Sequence, residues 1–224
     1  MNTISCHKLL ITVVHKGRAK RIVEATRRAG AEGGTTFLGK GTGIYAKKFF
    51  GIPVNQDKEI IFTLFNIKIG DQLFNEVVTA GQLQGPGQGI AFVIDVPCLT
   101  GIAHYCELDS KERQEAMNRQ SGYELVVTVV NKGNAETVVA AGKRAGAEGG
   151  TILFGRGTGI HEQAKLFSIP IEPEKEVVLT LIARDKTDAV LQAIREDSGL
   201  DQPGKGIAFV LPVERTTGIK RLEP

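Results

Sequence analysis

Tryptophan is absent from this chain, and cysteine (3), methionine (2) and tyrosine (3) are scarce among its 224 residues. The three cysteines, Cys6, Cys98 and Cys106, are an odd number in a chain of this length and do not suggest a disulfide framework. No charged-then-apolar leader opens the sequence, so no secretory signal is expected; with the cysteine count this points to the cytoplasm. The longest apolar runs are strand-sized, well short of the roughly 18 residues that a membrane span needs. Charge of one sign is lacking too: 28 Lys and Arg against 25 Asp and Glu leave a net +3, with the signs interleaved. Without a block of like charge, no nucleic-acid arm is expected. What remains is globular composition, 42% hydrophobic and 24% charged, with 27 glycines that cluster rather than scatter.

The chain repeats itself. Leu9 to Ile44 aligns without gaps against Leu125 to Ile160, sharing Thr-Val-Val, Arg-Ala-Gly-Ala-Glu-Gly-Gly-Thr and Gly-Thr-Gly-Ile. After one inserted residue the match resumes through Ile52-Pro53/Ile169-Pro170, Gly89 to Val93/Gly206 to Val210 and Thr100-Gly101/Thr217-Gly218. Close to half of the aligned positions are identical. The period is far too long for a solenoid, so each copy reads as a whole domain: residues 1–102, a polar linker over 103–121, and residues 122–224.

Within one copy, Leu9 to Val14 is β-branched and bounded by Lys16-Gly17, a strand signal. Arg18 to Ala29 places Ile22, Val23, Ala25, Thr26 and Ala29 on one helical face, and Gly30 reads as its C-cap. Gly34 to Leu38, Glu59 to Asn66 and Ile90 to Val96 read as strands. Asp71 to Ala80 reads as a second helix, with Asp71 as N-cap. The order βαββαβ predicts an α+β protein of two tandem ferredoxin-like domains, each an antiparallel sheet with two helices on one face. Strand three, Ile60 to Phe65, is apolar at consecutive positions, so the other sheet face needs a cover. Oligomerisation is the expected solution.

Two glycine motifs recur in each copy: Gly39-Lys40-Gly41-Thr42-Gly43 with Gly155-Arg156-Gly157-Thr158-Gly159 after strand two, and Gly85-Pro86-Gly87-Gln88-Gly89 with Pro203-Gly204-Lys205-Gly206 before the last strand. Such spacing permits positive φ and lets consecutive N–H groups face inward around an anion. Glycines at strand ends are also plain turns, and only the recurrence of both motifs lifts the binding reading above that. Neither is a Walker loop, and neither opens a helix after a strand as a dinucleotide fingerprint does.

Strand, helix, Gly-Lys-Gly-Thr-Gly, strand, helix, Gly-x-Gly and an Ile-Ala-Phe-Val strand resemble the P-II nitrogen regulatory proteins over nearly all of both copies. The resemblance implies a trimeric ring of βαββαβ domains with sheets inward, adenine nucleotide (ATP, ADP or AMP) in the clefts, and a loop between strands two and three that docks on a protein target. It implies Gly41, Thr42, Gly43, Gly87 and Gly89 as nucleotide-binding residues in copy one. In copy two it implies Gly157, Thr158, Gly159, Gly204, Lys205, Gly206 and Lys220. Three chains would then supply six domains as a pseudo-hexamer, acting on a membrane transporter or an enzyme. The sequence departs from the family where a phosphate lysine is replaced by Ile90 and Ile207, and where the late arginine pair becomes Gly101 and Ala103 or Gly218 and Lys220. Ile44-Tyr45 and Ile160-His161 replace the arginine and glutamine after the first motif. These departures mark a divergent branch and speak against the family's magnesium–ATP and 2-oxoglutarate site. Arg156, Lys205, Lys220 and Arg221, against Lys40, Gln88, Ala103 and His104, make copy two the better expected anion site.

Two other classes compete with this reading. Cys98, His104 and Cys106 carry soft-metal donors, and a related trimeric ferredoxin-like family is linked to metal tolerance, but the spacing matches no standard zinc pattern and copy two has no equivalent. No metal-site residue is therefore assigned, and a trimeric metal-binding, metal-tolerance-type ferredoxin-like protein stays as the alternative function. An enzyme should repeat its acid, base or nucleophile in both copies. The shared polar residues include Lys16/Lys132, Glu32/Glu148, Lys58/Lys175 and Glu59/Glu176 but no histidine or cysteine, so no catalytic residue is expected.

Overall fold

The structure is a computed structural model that describes residues 6–31, 34–43, 48–49, 52–53, 56–96, 121–156, 165–166, 169–170 and 173–219. The chain falls into two compact units, one of Met1–Phe37, Lys58–Tyr123 and Pro212–Pro224, the other of Leu38–Asp57 and Glu124–Leu211. Neither unit is one uninterrupted stretch of chain. Most of the predicted linker lies outside the described residues.

In the first unit the central strand β1 (His7–His15) pairs antiparallel on both sides. On one side β5 (Gln56–Asn66) runs from His7↔Asn66 to His15↔Lys58. On the other, β6 (Gly89–Asp95) runs from Lys8↔Asp95 to Val14↔Gly89. With β2 (Thr35–Gly41) beside β5, the strand order β6-β1-β5-β2 is that of a ferredoxin-like sheet. Helices α1 (Ala19–Arg28) and α2 (Gly70–Gly81) lay Ile22, Leu73 and Val77 on Leu10, Val14 and Ile61, all of them fully buried. The opposite face, Ile11, Val13, Ile60 and Phe92, is buried as well.

The helix ends differ in detail from the sequence reading. Asp71 is not the N-cap of α2 but sits in its first turn; the chain enters through a 3₁₀ turn, Ile67–Ile69, opened by Asn66 Oδ1 accepting from Lys68 N at 2.9 Å. Ala29 is the C-cap of α1 and Gly30 follows it at φ +96°. No local side chain caps α1; instead Glu59 Oε2, from β5, accepts from Ala19 N at 2.7 Å. Gln82 ends α2 in the left-handed region at φ +54°, where the second copy has Gly199 at φ +63°. Because a β-carbon is disfavoured there, we expect Gln82→Gly to raise stability by about 0.5–1 kcal/mol, read as a higher denaturation midpoint.

The last part of β12 (Gly206–Thr217) belongs to this unit and pairs with β6 from Val213↔Ile94 to Thr217↔Ala91, with a register shift between Val213 and Arg215. Lys8, 4% exposed, bonds to the buried Glu214 carboxylate and lies 3.1 Å from Asp95 Oδ1. Arg215 donates to Asp71 Oδ1 at 2.7 Å and its guanidinium stacks 4.0 Å over Phe74. Cys6 is buried and disulfide-bonded, against the sequence expectation: an odd total still leaves room for one bridge. Cys98 and Cys106 lie outside the described residues.

The second unit repeats the order with β7 (Tyr123–Asn131), α3 (Ala135–Arg144), β8 (Thr151–Arg156), β11 (Glu174–Ala183), α4 (Thr187–Ser198) and the first part of β12. Its helix-side core gathers Val126, Val138, Val178, Val190 and Ile194. Glu176 takes the place of Glu59, its Oε2 accepting from Ala135 N at 2.9 Å and Gly133 N at 3.0 Å. Arg144, 2.8 Å from Asp197, ties α3 to α4 and holds that carboxyl below the usual range, as Arg28 and Glu76 join α1 to α2. Ile207 and Phe209 are 61% and 43% exposed, although Phe92, the first copy's counterpart of Phe209, is buried. Two short ladders, β3 (Lys48–Phe49) with β4 (Ile52–Pro53) and β9 (Lys165–Leu166) with β10 (Ile169–Pro170), lie between strands two and three of the copies.

Candidate functional site

The first glycine motif is not the predicted turn. Gly39, Lys40 and Gly41 are β-strand and pair with Leu153, Ile152 and Thr151. None of Gly39, Gly41 and Gly43 has positive φ. The buried Thr42 hydroxyl donates to Gly150 O at 2.8 Å and accepts from Gly150 N at 2.9 Å. A β-carbon on Gly149 would stand 2.5 Å from Gly43 Cα, so the Ala-Glu-Gly-Gly run is glycine for close backbone approach. Gly157, Thr158 and Gly159 lie outside the described residues, as do Lys220, Cys98, His104, Cys106 and Tyr45.

The second motif does turn. Gly87 and Gly89 have φ of +68° and +150°, and Gly204 and Gly206 have +78° and +141°. Gly89 and Gly206 also lie hard against strand one of their copy: an added β-carbon would meet Val13 O at 2.4 Å or Val129 O at 2.3 Å. Their recurrence therefore has a packing cause. Gly87 and Gln88, or Gly204 and Lys205, stand between these anchored points and the preceding helix.

Sheet register brings further side chains to this loop. His15 ends β1 opposite Lys58, and Val14 faces Gly89, so all three strands reach one end of the sheet together. His15 Nε2 lies 2.9 Å from Gly87 O, and Lys58 Nζ lies 3.2 Å from His15 Nδ1 and 3.3 Å from Nε2. Arg18, entering α1, donates to Gln88 Oε1 at 2.6 Å. Three basic side chains thus converge on one glycine loop. Burial and the neighbouring Arg18 guanidinium lower the Lys58 ammonium to about 8. Removing a cation from water and setting a second cation near it both disfavour its charged form.

The second unit builds the same arrangement from different residues. Asn131 stands in the place of His15, its Nδ2 donating to Gly204 O at 3.1 Å, while Lys175 Nζ donates to Asn131 Oδ1 at 2.5 Å. Asn134 replaces Arg18 and bonds to Asn131 O at 3.2 Å. Lys205, exposed, replaces Gln88. The positive charge that sequence alone assigned to copy two has a counterpart in copy one.

His15, Arg18 and Asn131 were not predicted, and Lys58 and Lys175 stood out only as shared polar residues. The signal was in the topology: a ferredoxin-like sheet sets strand one between strands three and four, so residues ending the first and starting the others meet. Among the described residues, no group of three or more His, Cys, Asp or Glu is placed to hold a metal, and no helix is long and apolar enough to cross a membrane.

Residues 123–223, the second copy, match the family model of the nitrogen regulatory protein P-II, and this part of the chain is P-II-like. No curated protein matches. Among solved structures, PII of Arabidopsis thaliana bound to citrate is similar at 23% identity and a TM-score of 0.34, over 42% of this chain and 77% of that one.

Proposed function

We propose that the chain is a non-catalytic signalling protein that senses an adenine nucleotide (ATP, ADP or AMP) or a related anion at the Gly85–Gly89 and Pro203–Gly206 loops. The observation that carries this reading is the twofold occurrence of one arrangement: a glycine-loop carbonyl held by the last residue of strand one, with a strand-three lysine bonded to that residue. Positive charge beside left-handed glycines suits a phosphate or carboxylate. The P-II match over residues 123–223 supports a regulator in place of an enzyme. The segments between strands two and three of each copy are the proposed contact with a protein target, a transporter or an enzyme. The exposed Ile207 and Phe209 support assembly, proposed as a homotrimer, since apolar groups on a sheet face gain by being covered. The cytoplasm is the compartment of this reading and rests on the resemblance to P-II, not on the cysteine count.

A melting-temperature panel with ATP, ADP and AMP, with and without magnesium, tests the reading. A ligand at 100 times its Kd stabilises the folded state by about 2.7 kcal/mol, which in a chain of this size is a rise of roughly 5–10 °C. Native mass measurement on the same sample should show three chains. No response to any nucleotide at millimolar concentration, or a response to copper or zinc instead, would overturn it.

A further inference from the structure

We infer that Arg18, at the head of α1, holds the anion in the first unit, in the part that Lys205 of the glycine loop takes in the second. The inference deepens the anion-sensing reading above and rests on it. Its basis is an exchange of charge between two positions that touch. In the first unit the helix head carries the cation and the loop a neutral amide, Arg18 Nη1 donating to Gln88 Oε1 at 2.6 Å. In the second unit the aligned positions are Asn134 and Lys205, so the amide stands on the helix and the cation on the loop. Each pair keeps one positive charge beside its glycine loop, supplied from opposite sides.

The backbone does not account for the exchange. Arg18 and Asn134 have nearly the same φ and ψ, −104° and −10° against −102° and −6°. Each donates its N–H to the last residue of strand one, His15 O at 3.2 Å or Asn131 O at 3.1 Å. The loops turn alike as well, with Gly87 at φ +68° and Gly204 at φ +78°. Gln88 satisfies one N–H of the guanidinium and leaves its charge uncompensated. Among the described residues, no carboxylate pairs with Arg18 and none with Lys205. The Arg18 charge reaches the residues around the loop: after burial, it is the second cause of the lowered Lys58 ammonium. A guanidinium has five N–H groups in a fixed fork, so four remain to grip two oxygens of one phosphate or carboxylate. The competing role of the Arg18–Gln88 bond is a plain latch between helix and loop, and the two roles respond differently to substitution.

Calorimetric titration of the full chain with inorganic pyrophosphate and with ADP, at low ionic strength, separates them. Lys205→Gln, at an exposed position, should halve the number of anions bound and serves as the background in which the first unit is read. Arg18→Asn and Gln88→Lys each install the side chain that the other copy carries on the same backbone. In that background Arg18→Asn should weaken the remaining site about tenfold or more, the worth of a hydrogen bond to a charged group. Adding Gln88→Lys should bring it back to within about threefold. Gln88→Ala, which breaks the latch and keeps the cation, should bind no more weakly than its parent. Unchanged binding in Arg18→Asn would overturn the inference. So would a loss in Gln88→Ala with no recovery on adding Gln88→Lys, which is the pattern of a latch. In both cases the native chain still binds, and the anion-sensing reading stands. Binding of neither probe by the native chain would overturn both.

Discussion

Replacing Gly206 by alanine should leave little folded protein. The added methyl would stand 2.3 Å from Val129 O at a φ of +141°, so the clash is with the backbone of the strand beside it, which cannot turn aside as a side chain can. The same holds for Gly89 against Val13 O at 2.4 Å. Losses above about 4 kcal/mol are expected where a core strand must move. Gly133→Ala is the control: its φ is +94° but nothing lies within 4 Å, so it should cost only the left-handed strain of about 1–2 kcal/mol. Urea denaturation of the three variants separates close approach from conformational strain. Equal losses at Gly206 and Gly133 would remove the close-approach argument.

Lys8→Met should be nearly as damaging, for an electrostatic reason. Glu214 is almost wholly buried, and without its ammonium partner it becomes an uncompensated interior charge. Breaking such a pair from one side costs about 3–5 kcal/mol, while replacing both partners with apolar groups is often close to neutral. Lys8→Met combined with Glu214→Leu should therefore recover most of the loss. Asp95 is half exposed and keeps solvent as an alternative. If the double variant is as unstable as the single one, the damage lies in packing and not in charge.

Much of the frame was legible because it is written locally. The apolar faces of Arg18 to Ala29 and Asp71 to Ala80 correspond to α1 and α2, with Ile22, Leu73, Phe74 and Val77 buried as their spacing predicts. What local pattern could not give was the partner of a segment. Gly39 to Gly41 read as a turn because glycines interrupt a strand, yet their backbone is satisfied by Thr151 to Leu153, more than a hundred residues away. Part of the candidate site is not marked by identity between the copies. Demanding the same residue in both copies discards His15, because its partner is Asn131. The requirement on that position is a donor towards a glycine carbonyl and an acceptor for lysine, and two different side chains meet it. Arg18 was read only as the start of a helix, since nothing in the sequence says that the helix opens beside the last glycine loop.

The exchange of segments between the units has a consequence for how the chain is made. The first unit is complete only when residues 212–224 arrive, and its Lys8–Glu214 bond spans 206 positions. A ribosome that has released the whole first copy has therefore delivered an unfinished unit, with β6 still lacking its second neighbour and Lys8 its buried counterion Glu214. The second unit can close earlier, because residues 38–57 are already waiting when its own strands emerge. Long sequence separation slows such closure. A protease that cuts once between the copies, after folding, would produce two fragments each of which still holds an essential strand of the other's unit.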